Sequence, residues 1–563
     1  GNRGHVTDFG KSVHVPNFST SPITFLQFRK PCVGTMQFLF KIRKSKKPSR
    51  LRMSEWELID RESIERRKTE IEKRRGRKDF ELPPKEKKPS ISSARDRALL
   101  KFIEIGILAL IVWVPLPKGS VHEWSILVMQ ILVFVMMGAY VLVEEKPLNN
   151  EFLDLVLRWP KYLFSAVFVL IVFQILPLPN FLVKLLSPKS YSLRQMFVPE
   201  FSRVHFMSIS LMPGHTLRAG LELLTYFLLG FLIVKTVVKR KQIILLFYFL
   251  AGMGVFQAFY GLFELYNPAP RILFYKKLHY LDCVTGTFVN RNHLSGYLEM
   301  VIPLAIGLIL ARTDFFALAG AKWRKKILMI SEKGAYINVL LAMGIILMAI
   351  AIIFSKSRSG VFLLVFSFFL VFGLSVLFYG KVKLELKWIK DFLKVTFLII
   401  TVVALYIGID SMVERFALDK ILQNVRPVVW SNTIGIIGDF PVFGSGLGTF
   451  ESLYPAYEAS STPPLFEHAH NDYLEFMAEL GALGFLMLLG GVLAMLVFSF
   501  MVWKVRRHPA VRGLALGGMV AVVVMLLHSI TDFNLHIPAN MMLFAVVISL
   551  TIATAFYKRN TDA

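Results

Sequence analysis

Repeated apolar runs of roughly 18 to 25 residues decide most of what this chain can become. Wound as a helix, a run of that length spans the hydrocarbon core of a bilayer and satisfies its own backbone polar groups there. About twelve such runs are legible, near 98–116, 124–143, 160–179, 217–237, 243–265, 292–311, 336–354, 361–379, 392–408, 476–500, 513–530 and 537–556. The predicted fold class is therefore an all-α polytopic membrane protein of about 12 transmembrane helices, with a large loop at 409–475 between helices 9 and 10. Composition agrees: 55% of residues are hydrophobic and 49 are Phe, against about 45–50% apolar in a soluble domain. Cys32 and Cys283 stand far apart and make neither a disulfide framework nor a zinc cluster.

A formal charge of +26 would suggest nucleic acid if it were spread over one domain. Here it sits in the first hundred residues and in short loops between apolar runs, the distribution of the positive-inside rule, so no nucleic-acid partner is expected. Residues 1–95 read as a basic, disordered cytoplasmic tail drawn to anionic lipid, ahead of a membrane domain at 96–560. The chain opens on Gly1, and no signal-peptide pattern opens it. Met53, which begins MSEWELIDRES, is a second candidate for the natural start and would leave 1–52 outside it. With the tail in the cytoplasm, the basic segments 239–241, 322–326, 381–390, 506–507 and 558–559 fall on the same side; the loop at 144–157, of mixed charge, is the exception. Both termini are then cytoplasmic. The loops at 180–216, 266–291 and 409–475, with the turns 355–360 and 531–536, share the opposite face.

Every unusual polar motif falls on that face. The stretch FEHAHNDYLEF places His468 and His470 among Glu467, Asp472 and Glu475, just before an apolar run. Ionisable groups at a bilayer edge point to a site. His470 suits a general base, oriented by a neighbouring carboxylate. Two other readings fit the same residues: a structural histidine beside Asn471 or Asp472 as helix cap, and a His-x-His metal site. Arg291, in TGTFVNRNHLSG with His293, either snorkels to lipid headgroups or forks onto a diphosphate. Lys356 and Arg358 crowd the turn SKSRSG on a face where the topology rule disfavours cations, which favours an anion site. The long loop carries Arg426 and a Gly-rich stretch at 444–448 that lets backbone approach a ligand or another segment. Tyr454 and Tyr457 there suit either sugar stacking or loop anchoring, and Asp532 and His536 in HSITDFNLHIPAN suit either orienting or capping roles.

Taken together, these residues resemble the O-antigen ligase and O-antigen polymerase superfamily of bacterial envelope glycosyltransferases, over about residues 98–556. The most specific match is His470-Asn471, nine residues, then Gly481-Ala482-Leu483-Gly484, with Arg291, Arg358 and Arg426 in matching places. The resemblance implies a multi-pass protein of the bacterial inner membrane with a periplasmic active site. It implies inverting transfer of a glycan from undecaprenyl diphosphate to a glycan or lipid A-core acceptor, with membrane lipids as surroundings and no cofactor or metal. His470 would be the base; Arg291, Arg358 and Lys356 would hold the diphosphate. Arg426, Asn471, Glu467, Asp472, Asp532, His536 and His293 would support them. The superfamily divides by acceptor into ligases, polymerases and a branch that glycosylates pilin-like proteins. The turn at 528–540 resembles members tied to exopolysaccharide clusters, which keeps polymerase as the alternative. A transporter of a small anion such as bicarbonate is the rival from another class. It would carry repeated halves and polar sites near mid-membrane, and neither is legible.

Overall fold

The computed structural model describes residues 93–147, 154, 157–312, 335–379, 425–458, 466–506 and 508–556. Outside them lie the expected tail up to residue 92 with Met53, the basic segments 322–326, 381–390 and 558–559, Arg507, the expected span at 392–408, and 409–424 of the long loop. The chain divides into two units, 1–87 and 88–563, and every described residue falls in the second.

The helices are α1 Ala94–Trp113, α2 Glu123–Leu142, α3 Arg158–Ile175, α4 Asn180–Leu186, α5 Pro188–Phe197, α6 Pro213–Thr236, α7 Arg240–Leu265 and α8 Arg291–Arg312. They continue with α9 Ala335–Phe354, α10 Arg358–Tyr379, α11 Arg426–Asp439, α12 Phe450–Leu453, α13 Asp472–Val505, α14 Pro509–His528 and α15 Pro538–Phe556. Ten of them, α2, α3, α6 to α10 and α13 to α15, are long and apolar enough to cross a membrane. The expected twelve are thus ten among the described residues. One difference is 392–408, which lies outside them. The other is α1, whose Arg95, Asp96, Arg97, Lys101 and Glu104 are too many charges for a clean span, although Ile103, Ile107 and Leu110 pack into the core.

α8, α14 and α15 form the enclosed centre of the bundle. Between lipid-soluble helices, contact comes from close packing of small residues rather than from a hydrophobic drive. A methyl group on Gly307 of α8 would lie 2.6 Å from the Gly513 carbonyl of α14, so the two backbones touch.

The loops expected on one face pack against one another at one end of the bundle. Leu193 and Leu211 join a small apolar core with Val429, Ile436, Phe440, Phe450 and Tyr454 of the long loop. Lys189 meets Asp439 at 2.8 Å, and the Leu211 N–H donates to the Ser445 carbonyl. Lys356 of the 355–360 turn meets Asp282 of the 266–291 loop at 2.8 Å.

The Gly-rich stretch approaches another segment of the chain. Helix α13 breaks at Gly481, where φ is 65° and ψ 177°, a conformation that essentially only Gly adopts. The orphaned donors at the break find loop carbonyls: Ala482 N–H to Pro441 at 2.8 Å and Leu483 N–H to Val442 at 3.3 Å. In return Ser445 and Gly446 donate to the carbonyls of Ala478 and Glu479, each at 3.0 Å. A Cβ on Gly481 would strike the Val442 carbonyl. Gly481→Ala is expected to cost about 1–3 kcal/mol, read as a lower unfolding midpoint of the detergent-solubilised protein.

Candidate active site

A cavity of about 530 Å³ opens at the loop-bearing end, walled by Arg291, Asn292, Lys356, Arg358, Ser359 and Arg426, with an apolar side from α10 and α14. No carboxylate stands among its described wall residues. Arg291, Arg358 and Arg426 are the first residues of α8, α10 and α11. A cation at a helix N-terminus opposes the dipole by about 0.3–1 kcal/mol each. An anion between the three helix starts reverses that sign, since it meets both guanidinium groups and dipole ends. The Arg291 guanidinium lies 5.1 Å from the Tyr280 ring and 3.5 Å from the Cys283 sulfur. Lys356 is held by Asp282; that hydrogen bond, against a smaller opposing effect of burial, draws the Asp282 carboxyl down to about 2.

Behind the cavity wall sits Asp532, fully buried. Its Oδ1 accepts from His470 Nδ1 at 3.1 Å and from the Phe533 N–H at 3.0 Å. Its Oδ2 accepts from Arg426 at 3.2 Å and from the Asn292 amide. Burial raises the Asp532 carboxyl, but the His470 hydrogen bond and the Arg426 charge outweigh it and hold the group well below the usual carboxylate range. A carboxylate only accepts, so His470 carries its hydrogen on Nδ1 and keeps Nε2 as the lone-pair nitrogen. His470 is not on the cavity wall itself; Asp532 joins it to Asn292 and Arg426, which are.

The backbone that presents His470 is clamped. His470 sits at φ 52°, a left-handed position that costs a non-glycine residue about 1–2 kcal/mol. Trp430 donates to the Ala469 carbonyl at 3.1 Å, and the Ala469 N–H reaches Glu475 at 2.8 Å. Asn471 caps α13 by accepting from the N–H groups of Tyr473 and Leu474. The Phe533 ring touches three imidazoles, with centroids 4.2 Å from His468, 4.7 Å from His293 and 4.9 Å from His470.

A second cluster adjoins the first. Asp472 Oδ1 accepts from His536 Nδ1 at 2.7 Å, and Glu475 Oε1 accepts from His468 Nδ1 at 2.6 Å. Burial drives the His536 imidazolium down, yet Glu475 and Asp472 outweigh it and push it up to about 10. On the other side of the cavity, buried Glu299 meets His528 Nδ1 at 3.0 Å, and His528 Nε2 meets the Ser359 hydroxyl at 3.0 Å.

Of the residues singled out in the sequence, Arg291, Lys356, Arg358 and Arg426 share the cavity, His470 and Asp532 are tied to its wall, and Asn471 caps α13. Asp472 and His536 pair with each other, and His293 is buried against Phe533. Glu467 is exposed and stands apart from this network among the described residues. Tyr454 is buried against Phe450, which removes it as a sugar platform, and Tyr457 donates to Asp439. Phe533, Glu299 and Trp430 carry no such mark in the sequence, and Ser359 stands there only as part of the SKSRSG turn. A buried Glu299 eight residues into an apolar run is the one signal that was available.

Fold and site together define a multi-pass helical membrane protein with a cationic cavity and an imidazole–carboxylate pair at one end of its bundle. Residues 343–489 match the family described as O-antigen ligase, and that domain supports the chain's place in the O-antigen ligase and polymerase superfamily. The match takes in Arg358, Arg426, His470 and Gly481; Arg291 and Asp532 lie outside it and are brought in by the fold. It indicates a membrane glycosyltransferase acting on a lipid-linked glycan and an acceptor, and it lends the transporter reading no support. No curated protein matches the chain.

Proposed function

We propose that this protein transfers a glycan from undecaprenyl diphosphate to an acceptor hydroxyl at the periplasmic face of the bacterial inner membrane. The observation that carries the reading is the meeting of Arg291, Arg358 and Arg426 in one cavity, one carboxylate away from His470. The diphosphate lies between the three helix starts, with its lipid tail in the bilayer. His470 Nε2 takes the proton of the acceptor hydroxyl as its oxygen attacks the anomeric carbon. The bond from that carbon to the diphosphate oxygen breaks, and its electron pair leaves with the diphosphate. Charge grows on that oxygen in the transition state, where fixed cations contribute most. Asp532 holds the His470 ring and stabilises the imidazolium that forms, as the third member of a triad does. Attack opposite the leaving group inverts the anomeric centre. Ligation to a lipid A-core acceptor is the first reading and polymerisation onto another lipid-linked chain the second; both use the same groups.

The test is transfer by the purified full chain in liposomes, from an undecaprenyl-diphosphate-linked oligosaccharide to each acceptor in turn. Glycan transfer with release of undecaprenyl diphosphate supports the proposal; intact donor with every acceptor sinks it. Arg358→Lys keeps the charge and loses the planar fork. Removing one charge-assisted hydrogen bond of about 1.5–3 kcal/mol lowers transfer about 10- to 100-fold. Unchanged transfer would remove Arg358 from diphosphate binding.

A further inference from the structure

The geometry points to a divalent-cation site, built from His468 Nδ1, Glu475 Oε1 and His536 Nε2 and suited to Zn²⁺ as a structural ion. The three donor atoms lie within 4.8 Å of one another and come from three segments: the loop before α13, α13 itself and the turn before α15. Two imidazoles and a carboxylate are the donor types that zinc takes, with water in the fourth place.

Each donor is aimed by something other than the ion. Asp472 Oδ1 holds the His536 Nδ1 hydrogen at 2.7 Å, which turns Nε2 towards Glu475. Metal-binding histidines characteristically carry such a carboxylate on their other nitrogen. His536 Nε2 is buried and makes no hydrogen bond; Glu475 Oε1 is 3.4 Å away, near enough to attract but without hydrogen-bond geometry. Glu475 Oε2 accepts the Ala469 N–H at 2.8 Å, leaving Oε1 to face the imidazoles. The rings are fixed by stacking, His468 on Phe533 at 4.2 Å and His536 on Phe476 at 4.4 Å.

Little has to move for an ion to enter. His468 Nδ1 and Glu475 Oε1 are 2.6 Å apart as a hydrogen-bonded pair. Metal bonds of about 2.0–2.2 Å at a tetrahedral angle need about 3.3 Å between ligands. The His468 hydrogen shifts from Nδ1 to Nε2 by way of solvent, and Nδ1 gives its lone pair to the metal. His470 turns to Asp532 instead, so the ion takes no part in glycan transfer. Its effect is to tie the His468–His470 loop to α13 and to the 529–537 turn. The inference stands whether or not the chain transfers glycan.

The test is metal content of the full chain, purified in detergent on a tag free of histidine, incubated with Zn²⁺ and desalted. About one zinc per chain is expected, falling at least about fivefold in His536→Ala and in His468→Asn and unchanged in His470→Ala. Asp472→Asn, which alters only the orienting group, should weaken zinc about 10- to 100-fold. Should His536→Ala fail to fold, cobalt added to the unmodified chain reads the same site, through the strong visible absorption of a tetrahedral ion. Zinc well below one per chain with no cobalt absorption overturns the proposal, and His536 then holds a second proton in place of the ion. Zinc retained in the folded His536→Ala and His468→Asn variants overturns it equally, because the ion is then bound elsewhere.

Discussion

His470→Ala is expected to abolish the proposed glycan transfer while the chain still inserts and folds. A positioned general base contributes about 10²- to 10⁴-fold to a proton-transfer step. Three neighbouring imidazoles are engaged elsewhere. His468, the nearest imidazole in sequence, donates its Nδ1 hydrogen to Glu475, and His293 is buried behind Phe533. His536 pairs with Asp472, away from the cavity. The substitution deletes one partly exposed ring and one 3.1 Å hydrogen bond, and it leaves the Asn471 cap and the Trp430 and Glu475 clamps on Ala469 in place. The measurement is surface glycan in cells carrying only the variant, alongside transfer in liposomes and membrane yield. Full-length glycan from His470→Ala at normal yield would remove His470 from the chemistry.

Asp532→Asn is expected to produce a different pair of effects. The amide has one acceptor oxygen where the carboxylate has two, and Asp532 uses both: Oδ1 for His470 and Phe533, Oδ2 for Arg426 and Asn292. Either His470 or Arg426 then faces an NH₂ group. The wrong partner on Nδ1 turns the lone pair away from the acceptor, and transfer falls about 10²-fold or more. Arg426 also loses a buried counter-charge, a change that costs about 3–5 kcal/mol. The variant should therefore lose both activity and unfolding midpoint, whereas His470→Ala loses mainly activity. Equal transfer by Asp532→Asn and the parent would show that His470 needs no orienting partner.

The membrane helices were legible because the bilayer leaves the backbone so few options. The run at 292–311 reads as a span and is Arg291–Arg312; the run at 361–379 is part of Arg358–Tyr379. The small differences at the starts matter most, since they turn Arg291 and Arg358 from loop residues into the first residues of helices. Charge patterning marks a loop face but carries no signal for where a helix begins within a polar stretch. Topology put the arginines on one face, and the cavity joins them. The rank of Asp532 was not legible. In the sequence it suits either an orienting or a capping role, and only packing brings positions 292, 426 and 470 to one carboxylate. Gly481 was legible as part of a signature, but its reason, a broken helix filled by the carbonyls of Pro441 and Val442, comes from a segment forty residues away. Tyr454 has two readings in the sequence, sugar platform or loop anchor, and its contacts make it the anchor.

The lateness of Asp532 in the chain has a consequence for biosynthesis. Ribosomes deliver the N-terminal segments first. Arg291, Arg358, Arg426 and His470 all precede Asp532 in the chain, so they reach the translocation machinery before the turn that carries it. Until the helical hairpin of α14 and α15 is in place, Arg426 and His470 have yet to meet the buried carboxylate that both of them bind. A chain cut short before that hairpin is therefore expected to hold neither His470 nor Arg426 against that carboxylate.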